Sequence, residues 1–171
     1  NTVQLSYAVD LTLNRRDITN SIQINSWAIN TAQNSLMKYK MGSSPWLLRR
    51  EKTVQLIAPN TIFREDCSQV TAPIQYVYCC FHAQEPFGLR HLIGPYGYAL
   101  IEDPFHLVLS LLKPLVKIYN DQGEQGWYKN QAQLYELLDL LKDLQATDEP
   151  GYWVFPSKHT PKISSDFVKS V

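Results

Sequence analysis

The side chains able to do chemistry gather in two short stretches. QLIAPNTIFREDC, residues 55–67, carries Arg64, Glu65 and Asp66 just after a Pro59-Asn60 turn. IQYVYCCFHA, residues 74–83, carries Tyr76, Tyr78, Cys79, Cys80 and His82. Such groups can ligate a metal, form an acid–base pair or clamp a small molecule, and spacing decides among these. Glu65 and Asp66 are adjacent, so on a strand they face opposite sides and cannot act as a carboxylate pair on one substrate. The same alternation splits Cys79 from Cys80, which cannot then ligate one ion. Of His82, His91, His106 and His159, none forms an H-x-H or H-x-x-x-H pair. His82 and His91 straddle a turn and could converge, but isolated histidines are more often surface or satisfied core residues, and no metal site is expected. A G-x-S-x-G elbow, a P-loop and a dinucleotide fingerprint are absent from the sequence. Glu102 and Asp103 sit where capping explains them. Neither catalytic residues nor a cofactor are expected.

A ligand pocket fits the residues better. On a strand over 74–83, Ile74, Tyr76, Tyr78, Cys80 and His82 share one face. Gln75, Val77, Cys79, Phe81 and Ala83 share the other, which is a core face apart from Gln75. The first face is an aromatic wall with two phenol hydroxyls and an imidazole. Walls of this kind hold sugars and similar small molecules through ring contacts and a few aimed hydrogen bonds. The competing reading leaves Tyr76 and Tyr78 lying along a barrel rim with their hydroxyls in water.

These residues need a scaffold, and the chain can build one. It has 171 residues, 44% of them apolar and 12% aromatic, enough for one domain with a real core. The formal net charge is zero, so this chain has no overall basic field for a phosphate backbone. Arg49 and Arg50 read as strand-end charges, one on each face, and Arg15 and Arg16 as similarly bland. Three cysteines, an odd number, read as reduced thiols of a cytoplasmic protein. No apolar run reaches the length of a membrane-spanning helix, and no membrane partner is expected.

Within a polar arm over 1–25, Val3, Leu5, Tyr7, Val9, Leu11 and Leu13 recur every second residue, which predicts a strand with one buried face. Residues 26–102 follow as short strands at 36–41, 46–50, 53–58, 62–66, 74–83, 89–93 and 98–102, the pattern of a sandwich or small barrel. At Asp103-Pro104, read as N-cap and first helical residue, the period changes. Phe105, Val108, Leu109, Leu112 and Val116 then share a helical face, with Pro114 expected to kink or split it. A second helix over 127–145 carries the stripe Leu134, Leu137, Leu138, Leu141 and Leu144. The two make a helical hairpin over 103–146 whose leucines serve as core and as a candidate homodimer interface. Residues 147–171 read as a linker whose aromatic middle docks on something. Ser164, Ser165 and Asp166 resemble an N-cap opening an amphipathic helix, which suggests a piece of a longer protein.

Taken together, WLLRR, VQLIAPNTIFREDC and IQYVYCCFHA resemble the N-terminal effector-binding and dimerisation domain of AraC-type transcription regulators, over residues 27–146. The resemblance implies a fold that is mainly β with C-terminal helices: a cupin-like β-barrel followed by an αα-hairpin. It implies a small-molecule effector, a carbohydrate in a sugar-responsive member, inside the barrel with the arm folded over it. It implies a homodimer through the helices, and DNA contact through a domain beyond the linker. Glu65, Tyr76 and Tyr78 fall at ligand-contact positions of that family, although Glu65 stands where the sugar-responsive member has an aromatic residue. With His82, Arg64, Trp46 and Trp27 they complete the candidate ligand-binding set.

Overall fold

Period-two runs become strands, and the 3.6-residue period becomes helices. The computed structural model describes residues 3–15, 18–32, 36–84 and 89–157. Among these the strands are β1 (Gln4–Leu13), β2 (Ile22–Ile24), β3 (Trp27–Ala32), β4 (Lys38–Met41), β5 (Leu47–Leu48), β6 (Thr53–Ile57), β7 (Thr61–Asp66), β8 (Ile74–His82) and β9 (Tyr98–Glu102). Helix α1 (Leu107–Gln122) and helix α2 (Trp127–Leu141) follow, joined by a 3-10 turn at Gly123–Gly126. Two short strands, β10 (Gln145–Ala146) and β11 (Tyr152–Val154), come last. The larger sheet has the order β1-β8-β3-β6-β9-β11-β10, and the smaller one β2-β7-β4-β5. The fold is mainly β with C-terminal helices: two open sheets in a cupin-like, barrel-type arrangement, then a helical hairpin.

Strands β3 and β6 are buried at every residue, so the larger sheet is covered on both faces. On one face Trp27, Ile29, Val54, Leu56, Val77 and Phe81 meet Val108, Leu112 and Leu115 of α1 and Leu134, Leu137 and Leu141 of α2. Each such leucine taken out of water contributes about 1.5–3 kcal/mol. The other face turns Ala28 and Ile57 towards Tyr39 and Met41 of the smaller sheet.

The expected single face of the arm strand is not what forms. The β1–β8 register shifts between Leu5 and Tyr7, a bulge that moves later residues to the opposite side. Val3 and Leu5 therefore pack towards the helices, whereas Tyr7, Leu11 and Leu13 face the space between the sheets. The segment expected as a strand at 89–93 is a 3-10 turn at Arg90–Leu92. Helix α1 begins at Leu107, not at Pro104, because His106 takes a left-handed conformation with φ 56°. Asp103 still caps it from a distance: its carboxylate accepts the N–H groups of Leu107 at 2.6 Å and Val108 at 3.1 Å. Pro114 does not split α1; it lies on the exposed side, where the carbonyl it leaves unpaired belongs to exposed Ser110.

Helix α2 ends at Leu141, short of the expected residue 145. Leu134, Leu137 and Leu141 of the leucine stripe are 0% exposed within a single chain, so no second copy can reach them. Leu138 and Leu144 are half-buried and pack on the same core. In the linker stretch, Tyr152–Val154 becomes a strand parallel to β9. Gly94 and Gly151 make this possible, since a Cβ on Gly94 would meet the Gly151 Cα at 3.0 Å. The helix start expected at residues 164–171 lies outside the described residues.

Candidate functional site

A cavity of about 350 Å³ lies between the sheets, on the side of the larger sheet turned away from the helices. Alternation decides who lines it. Strand β8 supplies Tyr76, Tyr78 and Cys80, while β3 supplies Ala28 and Asn30. Past its bulge, β1 adds Tyr7, Leu11 and Leu13, and the smaller sheet adds Ile22, Ile24, Phe63 and Glu65. Tyr76 and Tyr78 pack edge to face with centroids 5.6 Å apart, and Tyr7 lies tilted against Tyr78 at 5.8 Å. Outside this cavity, a groove of about 370 Å³ runs along the sheet edge past Leu47, Tyr96 and Tyr152, without a buried charged group among its described lining.

Glu65 is only 7% exposed. Its backbone is clamped on β7: the Glu65 N–H donates to Thr19 Oγ1 at 3.1 Å, and its carbonyl accepts the Thr19 N–H at 3.0 Å. That clamp fixes which way residue 65 faces, and it faces inward. Arg64 accordingly faces out, with its guanidinium 5.5 Å from the centre of the Trp46 ring.

Beside the cavity, bonded to its lining residue Asn30, lies a buried cation that sequence reasoning missed. Arg49 is 0% exposed. Its Nη1 donates to Asn30 Oδ1 at 2.8 Å, and its Nη2 to Thr53 O at 3.0 Å and Asn30 O at 3.3 Å. Its Nε donates to Thr53 Oγ1 at 3.2 Å. Burial lowers the Arg49 pKa, while Tyr76, Tyr39 and Glu65 act in the opposite direction. A guanidinium stays protonated even so. The available signal was alternation itself: of two adjacent arginines at a strand end, one must turn inward. Asn30 and the lining residues of β1 and β2 were missed too.

Burial, and then the charge of Glu65, hold the Tyr76 phenol well above its ordinary value. Burial, and then Tyr7, push Tyr78 up to about 12. Both phenols are therefore neutral hydrogen-bonding groups at neutral pH and not nucleophiles. Gln55 pairs in register with Asn30, shares its face and is 2% exposed, and its Nε2 has no hydrogen-bond partner among the described residues.

Of the sequence-derived set, Glu65, Tyr76 and Tyr78 meet at this cavity. The other four are elsewhere. Trp27 lies in phase with Ile29 on β3, so it faces the helices, stacked on Phe81 at 6.3 Å. Trp46 and Arg64 are on the outer surface, and His82 is exposed at the end of β8 opposite Gln4. His91 does not converge with it; it packs edge-on against Trp153 at 5.6 Å. Among the described residues, no three of His, Cys, Asp and Glu gather as metal ligands, and no helix is long and apolar enough to cross a membrane.

No protein-family model and no curated protein matches the chain. Among solved structures, the chain is similar to the crystal structure of unsaturated fatty acid-bound ToxT from Vibrio cholerae, with a TM-score of 0.52 and 14% sequence identity. The match covers 99% of this chain and 62% of the ToxT chain. At that identity the likeness is one of fold: the sheets and helices described above follow the same course as part of ToxT.

Proposed function

We propose that the chain is the ligand-sensing domain of an AraC-type transcription regulator and binds a small, largely apolar molecule between its two sheets. The observation that carries this reading is the hollow, largely apolar interior with a few inward polar groups. A ligand-free structural domain would need that space filled, yet Trp27 is spent in the helix-side core and Trp46 on the surface. The order of barrel, helical pair and linker is that of the family the sequence resembles, and ToxT, which shares the fold, is an AraC-family regulator. A sugar fits this cavity less well. Leu11, Leu13, Ile22, Ile24 and Phe63 offer nothing to a ring of hydroxyls, and unpaired buried hydroxyls are costly.

The route from ligand to output runs through β1. Tyr7 and Leu11 touch the cavity, and the start of the same strand is tied to the helices. The Leu5 N–H donates to Gln131 Oε1 at 3.0 Å, and Gln131 Nε2 donates to the Val3 carbonyl at 2.6 Å. A ligand that favours one placement of β1 shifts the helices through these bonds, a population shift coupling two sites. The working protein in this reading is a cytoplasmic homodimer. Its copies meet through the outer helix faces, where Tyr128 and Tyr135 are exposed, and DNA is bound by a domain outside this chain. Isothermal titration against fatty acids, alcohols, amides and sugars tests the sensing role. Saturable binding of apolar compounds is expected, and it is abolished by Ala28→Leu, which fills the cavity from β3. Silence across the whole panel would sink the reading.

A further inference from the structure

We propose that the outer face of the smaller sheet is a docking surface for an acidic segment of a partner protein, one carboxylate of which sits between Lys40 and Arg64. This face looks away from the cavity, so the inference stands apart from the reading of the cavity as an effector site. Alternation places it: Phe63 and Glu65 of β7 line the cavity, so Ile62, Arg64 and Asp66 turn outward. Register carries the same face across the sheet. Lys38 lies opposite Asp66, Lys40 opposite Arg64, and Leu48 of β5 opposite Lys38.

Charge on this face is out of balance. Lys40 and Arg64 are like charges directly opposite each other on neighbouring strands, an arrangement that destabilises a sheet. Neither forms an ion pair with another described residue. Arg64 uses only its Nε, which donates to the Thr19 carbonyl at 3.5 Å, and its guanidinium lies over Trp46. The one carboxylate among the described strand residues of this face is Asp66, which stands opposite Lys38 and accepts the Ser68 N–H at 2.9 Å. Two cations are thus held side by side with no anion between them. A carboxylate supplied from outside turns that repulsion into two attractive contacts, and the fork of Arg64 can take it through two parallel bonds.

The apolar neighbours decide the class of anion. Ile62 lies one step along β7 from Arg64, and Leu48 lies one step to the other side of Lys40; both are exposed, as is Trp46. Same-face neighbours along a strand are about 7 Å apart. An extended segment with a carboxylate in its middle and an apolar side chain two residues to either side repeats that spacing and covers them. A nucleic-acid backbone or an anionic bilayer would instead press Asp66 against charge of its own sign. The zero net charge of the chain gives neither of them a long-range attraction. A protein segment can place one carboxylate and leave Asp66 in water.

The test selects a phage-displayed library of random dodecapeptides on the whole chain. Enrichment of negatively charged peptides is expected, with an acidic residue flanked by apolar residues two positions to either side. One enriched peptide is then synthesised and titrated by fluorescence anisotropy. Lys40→Glu is expected to weaken its binding at least about tenfold. The same substitution is expected to raise the urea midpoint of the free chain, because it replaces a like-charge pair with an opposite one. Binding and stability therefore move in opposite directions, which a merely structural role of Lys40 would not produce. No enrichment of acidic peptides overturns the proposal, and so does full affinity in Lys40→Glu. Tighter binding to phosphatidylglycerol vesicles, or to a DNA duplex of about 20 base pairs, than to the peptide also overturns it. A urea midpoint that Lys40→Glu leaves unchanged or lowers removes the charge imbalance on which the docking surface rests.

Discussion

The two faces of the larger sheet are built from alternate residues of the same strands, yet they solve different problems. On the helix side, Val77, Cys79 and Phe81 of β8 are all 0% exposed and are met by leucines of both helices. On the cavity side, Tyr76, Tyr78 and Cys80 face space that side chains do not fill. The sealed face is held by apolar volume, which is non-directional and tolerates no gap. The cavity face is packed only in part: Tyr76 joins Met37 and Ile74, and Ala28 and Ile57 meet Tyr39 and Met41. Directed bonds are added to that packing: Arg49 to Asn30 and Thr53, and Thr19 to the Glu65 backbone. One face is thus sealed by packing, and the other stays partly open with packing and hydrogen bonds together.

The most severe way to break that contrast is to remove the polar brace. Arg49→Ala leaves Asn30 Oδ1 and the Thr53 carbonyl without their Arg49 donor in a buried site. A loss of about 3–5 kcal/mol in urea unfolding is expected. Arg49→Met, which keeps the volume, is expected to lose less than Arg49→Ala. A loss under about 1 kcal/mol for Arg49→Ala would mean that the guanidinium is not a buried brace. Next in size is the same deletion made on the two faces. Leu112→Ala opens a gap in the sealed core and is expected to cost about 2–5 kcal/mol. Leu11→Ala only widens a space that exists already, on a residue 38% exposed, and is expected to cost under about 1 kcal/mol. Equal costs in thermal unfolding would erase the distinction between packed and hollow faces.

How much of this was legible in the sequence depends on whether the deciding interaction is local. The division of β8 into an aromatic face and a core face is a local matter of alternation, and it could be read directly. So could the separation of Glu65 from Asp66, and the capping role of Asp103. Whether Glu65 or Arg64 turns inward was not local, since it rests on Thr19, far away in sequence, clamping the β7 backbone. Trp27 looked like a pocket residue because its phase on β3 is set by pairing with β8, where it sits opposite Phe81. The β1 bulge carries no signature in the residues themselves, and it alone sends Tyr7 and Leu11 to the cavity while Leu5 goes to the helices. The parallel pairing of Tyr152–Val154 with β9 joins segments far apart in the chain, and so the stretch read as a loop.

The joint between the packed face and its helices sharpens the comparison at a smaller scale. Asp103 ends the loop after β9, and its carboxylate accepts three N–H groups at the start of α1, from Leu107, Val108 and Leu109. Asp103→Ala is expected to cost about 1–2 kcal/mol in denaturant unfolding. The pH dependence has a definite sign. Burial raises the Asp103 pKa above its ordinary value, although the three backbone bonds pull it back. A carboxyl raised in the folded state contributes stability that is fully present below its unfolded pKa. That contribution is lost as pH rises through the folded value. The difference between wild type and Asp103→Ala should therefore be largest in acid and shrink as pH rises through the raised value. A difference that grows with pH would show that the cap, not burial, dominates this carboxyl.

The smallest effect gives the finest resolution, because two neighbouring atoms of one type report on the two faces. Cys79 is 0% exposed on the helix side, and burial pushes its thiol far above the ordinary range. Cys80 lines the cavity; burial raises its thiol too, while Ser26 pulls it back. Cys79→Ala is expected to cost about 1 kcal/mol, the value of one small apolar group removed from a sealed core. Cys80→Ala is expected to stay within about 0.5 kcal/mol of wild type, because its sulfur already borders open space. A small thiol reagent should modify Cys80 before Cys79 in the folded protein, since the thiolate is the reacting species and only one of the two can be approached. A molecule held in the cavity should slow the reaction at Cys80 and leave Cys79 unchanged. Modification of Cys79 first would put the hollow face and the sealed face on the wrong sides of β8.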